Sequence, residues 1–301
     1  MDTFLYFYQH LQEHISPIAF SIGPISVGWY ALMYLVGFGI VYFLLKYRIK
    51  TREYPAESQN CNSKFKTCNT IPDNRYEILN TDTLFSLLFY LFIGLLIGAR
   101  LGYVLFYNLP YYLENPLEII WPFDESGNFV GLYGMSYHGG LIGAIIAGYM
   151  FSRKFKINFL PLVNFVIPAV PAGYFFGRIG NFLNGELYGR MTEKFWGMYF
   201  PADFSGSLRH PSQLYEAALE GLIPFLILWP LRNSDKFKDK LLGLYLTFYA
   251  VGRIISEFFR EPDSQIGILF GFLTLGQILS LVTLIFGLFF IFYGQKSKKV
   301  L

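Results

Sequence analysis

Charged residues are scarce in this sequence of 301 residues, and their scarcity indicates its class. Asp, Glu, Lys and Arg make up 15% of the chain, whereas hydrophobic residues make up 53% and aromatic residues 20%. Soluble globular domains carry about 25% charged residues, so this composition lies outside their range. The net charge of only +3 gives little support to binding of nucleic acid. The composition therefore indicates a membrane protein.

Cysteine and the features of a signal peptide are also nearly absent. Cys61 and Cys68 are the only cysteines, and no second Cys or His pair completes a zinc site with them. We therefore expect no metal and no other cofactor. The first residues, MDTFLYFYQHLQEHISP, lack the basic start and the cleavage site of a secretory signal peptide. We expect the first apolar run to stay in the mature protein.

Long apolar runs are what the sequence has in abundance. A helix needs about 20 residues to cross a bilayer, and runs close to that length cover 27–45, 83–107, 138–151, 159–177, 213–231, 241–258 and 273–293. The pattern predicts an all-α, polytopic integral membrane protein with about seven transmembrane helices, in a single domain over 1–301. The third run is the shortest, and it spans a bilayer only if its helix begins before His138 or is tilted.

The positions of Lys and Arg predict the orientation. The segments after runs one, three, five and seven hold most of the 24 basic residues, whereas 1–26 and 108–137 hold none. Short basic loops stay on the cytoplasmic side, so we expect the N-terminus outside and the C-terminus in the cytoplasm. The long polar stretch over 53–82 is then a flexible cytoplasmic loop, which puts both cysteines in a reducing compartment.

An unusual polar segment, GRIGNFLNGELYGR over 177–190, follows the fourth run. Ionisable groups at membrane depth are costly and usually face a cavity or a partner, which makes Arg178 a candidate. One continuous helix would align its small residues in a stripe, at Gly173, Gly177, Asn181, Gly185 and Gly189. A break between Asn181 and Gly189 is an equal alternative, since broken backbone lines polar cavities. We favour a lined pocket over a helix end that only meets water.

The sixth run ends in YAVGRIISEFFREPD, which carries a second polar group. Tyr249, Arg253, Glu257 and Arg260 are spaced i, i+4, i+8 and i+11, which predicts one helical face. An Arg253–Glu257 pair has a structural explanation as simple neutralisation. Two arginines beside one glutamate leave a surplus positive charge, which favours an anionic ligand.

Other polar positions have structural explanations of equal or greater weight. His138 could carry a proton, but a lone membrane histidine is often only hydrogen-bonded within the bundle. The stretch RHPSQLYE predicts an ordinary helix start at Pro211, with Glu216 one turn behind. Tyr30, beside a tryptophan near the outer interface, is explained by an aromatic belt.

Arg100 lies on one side of its predicted helix and a glycine stripe on the other. About 240 degrees separate it from Gly94 at 100 degrees per residue. The stripe of Gly94, Gly98 and Gly102 predicts close helix packing. Arg100 is then expected to line a cavity.

The arginines and most of the glycine-rich polar stretches fall at the external ends of the predicted spans. Together they predict a cavity at the outer leaflet, formed by Arg178, Arg253 and Asn181, with Arg100 and Arg260 as further members. Guanidinium groups bind phosphate through paired N–H donors, so such a cavity would select an anionic lipid headgroup while the acyl chains stay in the bilayer.

Six blocks of the sequence, in order, resemble the prolipoprotein diacylglyceryl transferase family. They are FSIGPISVGWYALMYLVGF, RLGYVLFYN, SYHGGLIG, GRIGNFLNGELYGR, RHPSQLYE, and GRIISEFFREPD with LGQILS. The resemblance covers nearly the whole chain, and the fourteen-residue fourth block is highly specific. The insert over 53–82 is the chief departure from the family pattern. It lies away from the predicted cavity, so it bears on partners or regulation rather than on chemistry.

The resemblance implies an enzyme of the bacterial inner membrane whose active site faces the outer leaflet. Its partners would be membrane lipid, phosphatidylglycerol and a preprolipoprotein, whose lipobox cysteine receives the diacylglyceryl group as a thioether while glycerol phosphate is released. The implied catalytic residues are His138, Arg178, Arg253, Glu257 and Tyr30. The implied phosphatidylglycerol-binding residues are Arg178, Asn181, Glu186, Gly189, Tyr249 and Arg253, and the cavity argument adds Arg100 and Arg260. The base for the thiol is either His138 or Glu257.

Two other classes of protein compete with this interpretation. A transporter or flippase of an anionic substrate also has glycine-broken helices and cavity arginines, but it predicts inverted repeats, and the two halves lack convincing self-similarity. A membrane scaffold that binds partner helices through glycine stripes leaves the arginines unexplained.

Overall fold

The computed structural model describes residues 3–23, 25–51, 79–121, 134–261, 268–269 and 273–296. Cys61 and Cys68, with most of the predicted loop over 53–82, lie outside them. The chain forms two compact units, of which the first comprises Met1–Tyr47 and Val163–Leu301 and the second Arg48–Leu162. The single domain over 1–301 stays a prediction.

Helices dominate the described residues. In chain order they are α1 (Thr3–Gln9), α2 (Trp29–Lys50), α3 (Thr81–Phe106), α4 (Leu109–Glu114), α5 (Tyr137–Lys154), α6 (Phe159–Leu183), α7 (Ser212–Leu231), α8 (Leu241–Glu257) and α9 (Leu275–Lys296). Short 3-10 turns cover Leu11–His14 and Pro116–Ile119. Two small antiparallel hairpins pair β1 (Ile18–Ile22) with β2 (Ile25–Gly28), and β3 (Ile268–Leu269) with β4 (Leu273–Thr274).

Each of the seven predicted apolar runs contains a helix. Within the part of the chain that the structure describes, five helices are long and apolar enough to cross a membrane, namely α2, α3, α6, α7 and α9. Only 11% of the most apolar window of α2 is buried within the protein, as expected of side chains that face lipid. The all-α membrane class is therefore confirmed. The count of seven and the orientation of the termini stay predictions, because α5 and α8, with 18 and 17 residues, are not among the five.

In the second unit, α3 and α5 pack through glycines. A Cβ at Gly98 would overlap the carbonyl oxygen of Gly139, and a Cβ at Gly102 would stand 2.7 Å from Gly139 Cα. A Cβ at Gly94 would stand 2.6 Å from the carbonyl oxygen of Gly143. The predicted packing role of the stripe is confirmed, because only hydrogen fits between these two backbones.

Arg100, in the same unit, binds main-chain carbonyls. Its Nε donates to the carbonyl of Ile119 at 2.7 Å, and its Nη2 to that of Glu118 at 2.5 Å. Its Nη1 donates to the carbonyl of Gly134 at 3.3 Å, and its guanidinium lies 5.0 Å from the Tyr112 ring centre. These contacts give Arg100 a structural role in holding the 116–119 turn. Its predicted role in lipid binding remains untested.

In the first unit, α6 is interrupted and then ends early. Its middle tightens into a 3-10 turn over Ile167–Ala169, where a proline removes a helical donor. The helix ends at Leu183, and Gly185 then takes a φ of +68°, a conformation that glycine adopts without steric cost. Of the two alternatives for the 177–190 segment, the break is confirmed and the continuous helix is wrong.

The interior of α7 departs from α-helical geometry. Six residues, Ala217–Leu222, form a π-helix, in which the N–H of Ile223 donates to the carbonyl of Ala218, five residues back. Pro224 follows and has no N–H to donate. Two glutamates of this apolar helix are buried, Glu216 directly before the π segment and Glu220 within it: they are 1% and 0% exposed. Such π segments are rare and recur at functional sites.

The segment between α6 and α7 folds over a small apolar core. Phe182, Met198 and Phe200 are buried there, and Tyr8, Leu11 and Leu214 pack around them. The main chain of α1 also joins this segment, since Tyr199 N donates to the carbonyl of Gln9 at 2.8 Å. This core fixes the segment that follows Asn181.

Candidate active site

Three arginines converge on the carboxylate of Glu216 in α7. Arg178 of α6 has its Nη2 2.9 Å from Glu216 Oε2, and Arg253 of α8 has its Nη1 3.2 Å from the same oxygen. Arg260, three residues after α8, has its Nη1 3.3 Å from Glu216 Oε1. An unpaired charge is very costly to bury, whereas a paired one is tolerated. Glu216 therefore joins α6, α7 and the end of α8.

Arg178 is also held by residues of its own helix. Its Nε donates to the hydroxyl of Tyr174 at 2.8 Å, and its Nη1 donates to Asn181 Oδ1 at 3.3 Å. Asn181 in turn donates from Nδ2 to Glu186 Oε1 at 2.9 Å. Arg178, Asn181 and Glu186, which were all predicted from sequence, are thus joined by a series of hydrogen bonds. This series runs from α6 to the segment 184–190.

Arg253 is surrounded by glutamates from two helices. Its Nη2 lies 2.9 Å from Glu257 Oε2, one turn on in α8, and its Nη1 lies 3.8 Å from Glu220 Oε1 of α7. Glu257 also accepts a hydrogen bond from Thr274 Oγ1 at 3.0 Å. A Cβ at Gly276 would stand 2.6 Å from Glu257 Oε1, so this glycine leaves the room in which the carboxylate lies.

The segment 184–190 is fixed by main-chain bonds to two other parts of the unit. Gly189 N donates to the carbonyl of His210 at 2.8 Å, and Arg190 N donates to that of Phe259 at 2.8 Å. A Cβ at Gly189 would stand 2.9 Å from His210 Cβ and would overlap the carbonyl oxygen of Phe259. Gly189 therefore permits a close approach between its own backbone and two other segments of this protein, at His210 and Phe259.

The first turn of α7 secures the same segment. Ser212 Oγ donates to the carbonyl of Leu187 at 3.0 Å, and Gln213 Nε2 donates to that of Glu186 at 2.7 Å. Both side chains are at most 1% exposed. The interpretation of RHPSQLYE as an ordinary helix start is therefore too weak: a helix does begin here, at Ser212 with Pro211 as its N-cap and so one residue after the predicted start, but its polar residues bind the site.

The charges of the arginine–glutamate cluster, which we define as Arg178, Arg253, Arg260, Glu216, Glu220 and Glu257, balance. The prediction of a surplus positive charge is therefore wrong for the described residues, because α7 supplies two carboxylates that the α8 pattern does not contain. Access remains on the arginine side. The side chains of Arg178, Arg253 and Arg260 keep exposures of 16%, 14% and 13%, whereas Glu216 keeps 1%. A ligand would therefore meet guanidinium groups first.

Two of the predicted tyrosines lie in the same unit. The Tyr249 ring packs edge-on against that of Tyr174, with centres 5.8 Å apart. Tyr30 of α2 donates its hydroxyl to Tyr34 at 3.0 Å. A Cβ at Gly180 of α6 would stand 3.3 Å from Tyr30 Cα, so α2 and α6 approach closely two residues from Arg178.

The remaining predicted residues are placed differently. Arg260 does not continue the face of α8, because the helix ends at Glu257 and Arg260 forms a β-bridge with Gly189. Its side chain nevertheless reaches Glu216. His138 is exposed at the second position of α5 and, like Arg100, belongs to the second unit.

A second ion-pair group lies in the loop between α6 and α7. Arg209 donates from Nε and Nη2 to Asp203 at 2.6 and 3.1 Å, and from Nη1 to Glu261 at 3.1 Å. The hydrogen bond from Arg209 lowers the pKa of Asp203 to about 2. Burial lowers the pKa of neighbouring His210, which favours its neutral form. This group stabilises the loop between α6 and α7.

Sequence reasoning missed Glu216 and Glu220 as members of the site. The signal was present: both stand in LYEAALEGLIPFLILWP, and a glutamate inside an apolar run is a functional candidate by default. Glu216 was missed because it lies near a helix start, where polar residues of the first turn are ordinary at a membrane surface. Tyr174 was also missed, since a tyrosine within an apolar helix carries no signal.

A buried cluster of arginines and glutamates among membrane-length apolar helices defines an integral membrane protein with a polar site inside its helices. Residues 17–293 match the family described as prolipoprotein diacylglyceryl transferase. The chain belongs to this family, and it is an enzyme, a transferase.

Curated relatives agree over nearly the full chain. A phosphatidylglycerol–prolipoprotein diacylglyceryl transferase of Chlorobaculum tepidum is 42% identical, covering 99% of this chain and 96% of the relative. Relatives of the same name from Wolinella succinogenes and Rickettsia bellii are 41% and 44% identical. They cover 97% and 92% of this chain, and 97% and 95% of their own lengths.

Proposed function

We propose that the chain transfers the diacylglyceryl group of phosphatidylglycerol to the lipobox cysteine of a preprolipoprotein. The products are a thioether and glycerol phosphate. The observation that carries the proposal is that Arg178 and Arg253 both pair with the buried carboxylate of Glu216. The side chains of the two arginines nevertheless stay partly exposed. The names of the relatives supply the two substrates.

The two arginines have donors left for a phosphate. A guanidinium has five N–H groups; among the described residues Arg178 donates one to Tyr174 and one to Asn181, and its Nη2 forms an ion pair with Glu216. One N–H on each Nη atom is left. Arg253 Nη1 is buried near Glu216 but makes no aligned hydrogen bond to a described residue. The remaining N–H groups of these two guanidinium groups match the oxygens of a phosphodiester.

The carboxylates serve to orient the arginines. Glu216 and Glu257 hold the two guanidinium groups before lipid enters, so little reorganisation is needed when charge develops on the phosphate. A balanced cluster also costs less to bury in the empty enzyme than three unpaired arginines would. Charge balance is therefore compatible with an anionic substrate.

The reaction needs a thiolate and a leaving phosphate. The cysteine sulfur attacks the glycerol carbon that bears the phosphate ester; the C–S bond forms as the C–O bond breaks, and the bonding pair leaves on the phosphate oxygen. Arg178 and Arg253 stabilise that oxygen more in the transition state than in the bound lipid. The thiol proton goes to a base, for which His138 and Glu257 are the two candidates.

The other predicted residues surround the headgroup. Asn181 and Glu186 orient its glycerol hydroxyls, Tyr30 and Tyr249 line the pocket, and Gly189 lets the 184–190 segment close against the end of α8. Arg260 adds positive charge beside Glu216. Arg100 remains a proposed contributor whose described contacts are structural.

The proposal includes a membrane arrangement. Seven helices cross the bacterial inner membrane, the N-terminus lies outside and the C-terminus in the cytoplasm, and the site faces the outer leaflet. Charge bias supports this arrangement. Labelling of single cysteines placed in the 184–211 segment and after α5 tests it: a membrane-impermeant reagent applied to intact spheroplasts should label the first and not the second.

The reaction is tested with purified protein, labelled phosphatidylglycerol and a peptide that carries a lipobox cysteine. We expect a thioether-linked diacylglyceryl peptide and free glycerol phosphate in equal amounts. A peptide with serine in place of the cysteine is the control and should stay unmodified. Lipid movement between leaflets without any product would instead support a transporter and contradict the proposal.

A further inference from the structure

The strongest unassigned feature is a hydrogen-bonded relay centred on Tyr174. Its hydroxyl accepts from Arg178 Nε at 2.8 Å and donates to Glu220 Oε2 at 2.5 Å. Arginine has no acceptor atom, so the hydroxyl must accept from Arg178, and its single proton is then available to Glu220. The direction of the first bond is therefore fixed by chemistry, and in the second an ionised Glu220 can only accept.

The relay completes the orientation of Arg178. Nη1 is held by Asn181 and Nη2 by Glu216, and the bond from Nε to Tyr174 sets the third point of the guanidinium plane. Three fixed points leave a planar group no rotation. Without the hydroxyl, the guanidinium would keep its charge and its contacts with Asn181 and Glu216, but it could turn about the line that joins those two contacts.

The far end of the relay is equally fixed. Glu220 is 0% exposed and belongs to the π segment of α7, where a Cβ at Gly252 of α8 would stand 3.3 Å from Glu220 Cγ. Glu220 Oε1 lies 3.8 Å from Arg253 Nη1. Tyr174 and Glu220 thus connect the two arginines by a path that does not pass through Glu216.

We propose that Tyr174 is a positioning residue for the transfer reaction, one that acts through Arg178 and is anchored by Glu220. The inference rests on the proposed function, because it assigns Arg178 to the phosphate that leaves. A positioning role affects the aligned transition state more than the bound lipid. Loss of the hydroxyl should therefore lower kcat and leave KM for phosphatidylglycerol nearly unchanged.

The test uses the full-length protein with Tyr174→Phe, which removes only the hydroxyl. We expect kcat to fall about tenfold and KM to change by less than about twofold. Tyr149→Phe is the matched control, because it removes from a half-exposed tyrosine of α5 a hydroxyl for which no hydrogen bond to a described residue is seen, and its kcat should match the parent. Normal kcat in folded Tyr174→Phe overturns the proposal.

A double variant separates positioning from simple structural support. If Tyr174 acts through its bond to Glu220, the kcat of Tyr174→Phe combined with Glu220→Gln should be no lower than that of the worse single variant. If the losses of kcat in the two single variants instead multiply in the double variant, the relay is overturned.

If Tyr174→Phe does not purify as a folded protein, Tyr174→Met replaces it, because it also lacks the hydroxyl and fills the space flexibly. Failure of the parent enzyme to form thioether product, by contrast, contradicts the proposed function itself.

Discussion

The α3–α5 pair of the second unit and the α6–α7–α8 group of the first unit hold membrane helices together by different means. The first brings its backbones together through glycines, with Gly98 and Gly139 in backbone contact, and a side-chain hydrogen bond between the two helices runs from Lys154 to Tyr90. The second also uses glycines, but it buries three arginines and three glutamates between its helices. Since glycine contacts suffice to pack membrane helices, the charges of the second group are not needed for packing as such. Their cost indicates function.

The largest effect is expected from Glu216→Gln, which tests whether the charged group is a single unit. The change leaves three arginines without their shared carboxylate, and loss of one partner of a buried pair costs about 3–5 kcal/mol. We expect the melting temperature in detergent to fall by about 10 °C. Glu13→Gln, which breaks an exposed pair with His10, is the control and should melt like the parent. Parent-like melting of Glu216→Gln would show that the arginines do not depend on it.

Arg253→Lys tests whether the charged group has a function beyond its charge. Lysine keeps the charge but cannot present the planar fork to Glu216, Glu257 and a phosphate at once. We expect the protein to remain folded and kcat/KM for thioether formation to fall about 100-fold. Arg153→Lys, at the exposed end of α5, is the control. Turnover close to normal in Arg253→Lys would count against the phosphate role.

Gly98→Ala tests the other side of the comparison. The added methyl group would overlap the Gly139 carbonyl, and overpacking of this kind costs about 1–3 kcal/mol. We expect a lower melting temperature with unchanged turnover per folded molecule. Gly39→Ala in α2 is the matched control, because no atom lies within 4 Å of its added Cβ, and alanine should not destabilise it. Loss of turnover in Gly98→Ala without loss of stability would break the distinction between the two regions.

The smallest effect is expected from Asp203→Asn in the loop after α6. The folded pKa of Asp203 is about 2, below its ordinary value of 3.8, so its ionised form stabilises the fold above about pH 4, and this contribution is lost as pH falls towards 2. At pH 7 we expect the melting temperature of the variant to be about 3 °C lower than that of the parent. The gap should close between pH 4 and pH 2. Asp235→Asn, with a side chain 93% exposed, should show no such gap.

The helices and one packing surface could be predicted from sequence, because they depend on local patterns. Apolar runs gave all seven helix positions, and the spacing of Gly94, Gly98 and Gly102 gave the face that packs against α5. The members Arg178, Asn181 and Glu186 were predicted as well, since polar residues at membrane depth stand out in an apolar sequence.

The partners of these residues could not be predicted. Glu216 lies 38 residues after Arg178 and 37 before Arg253 in the printed sequence, and no periodicity relates positions on three different helices. The placement of Arg260 was also wrong, since its spacing continues the helical face although the backbone leaves the helix after Glu257. Pairing across helices depends on how they pack, which local patterns do not contain.

The sequence by itself determined that this chain is a helical membrane protein and where its costly polar residues fall, because hydropathy and residue type act along the chain. Only the tertiary structure decided that three arginines share the carboxylate of Glu216 and that Tyr174 joins Arg178 to Glu220. The physical reason is that buried charges must find partners wherever packing brings them within about 4 Å. That requirement acts through space, across helices far apart in the chain.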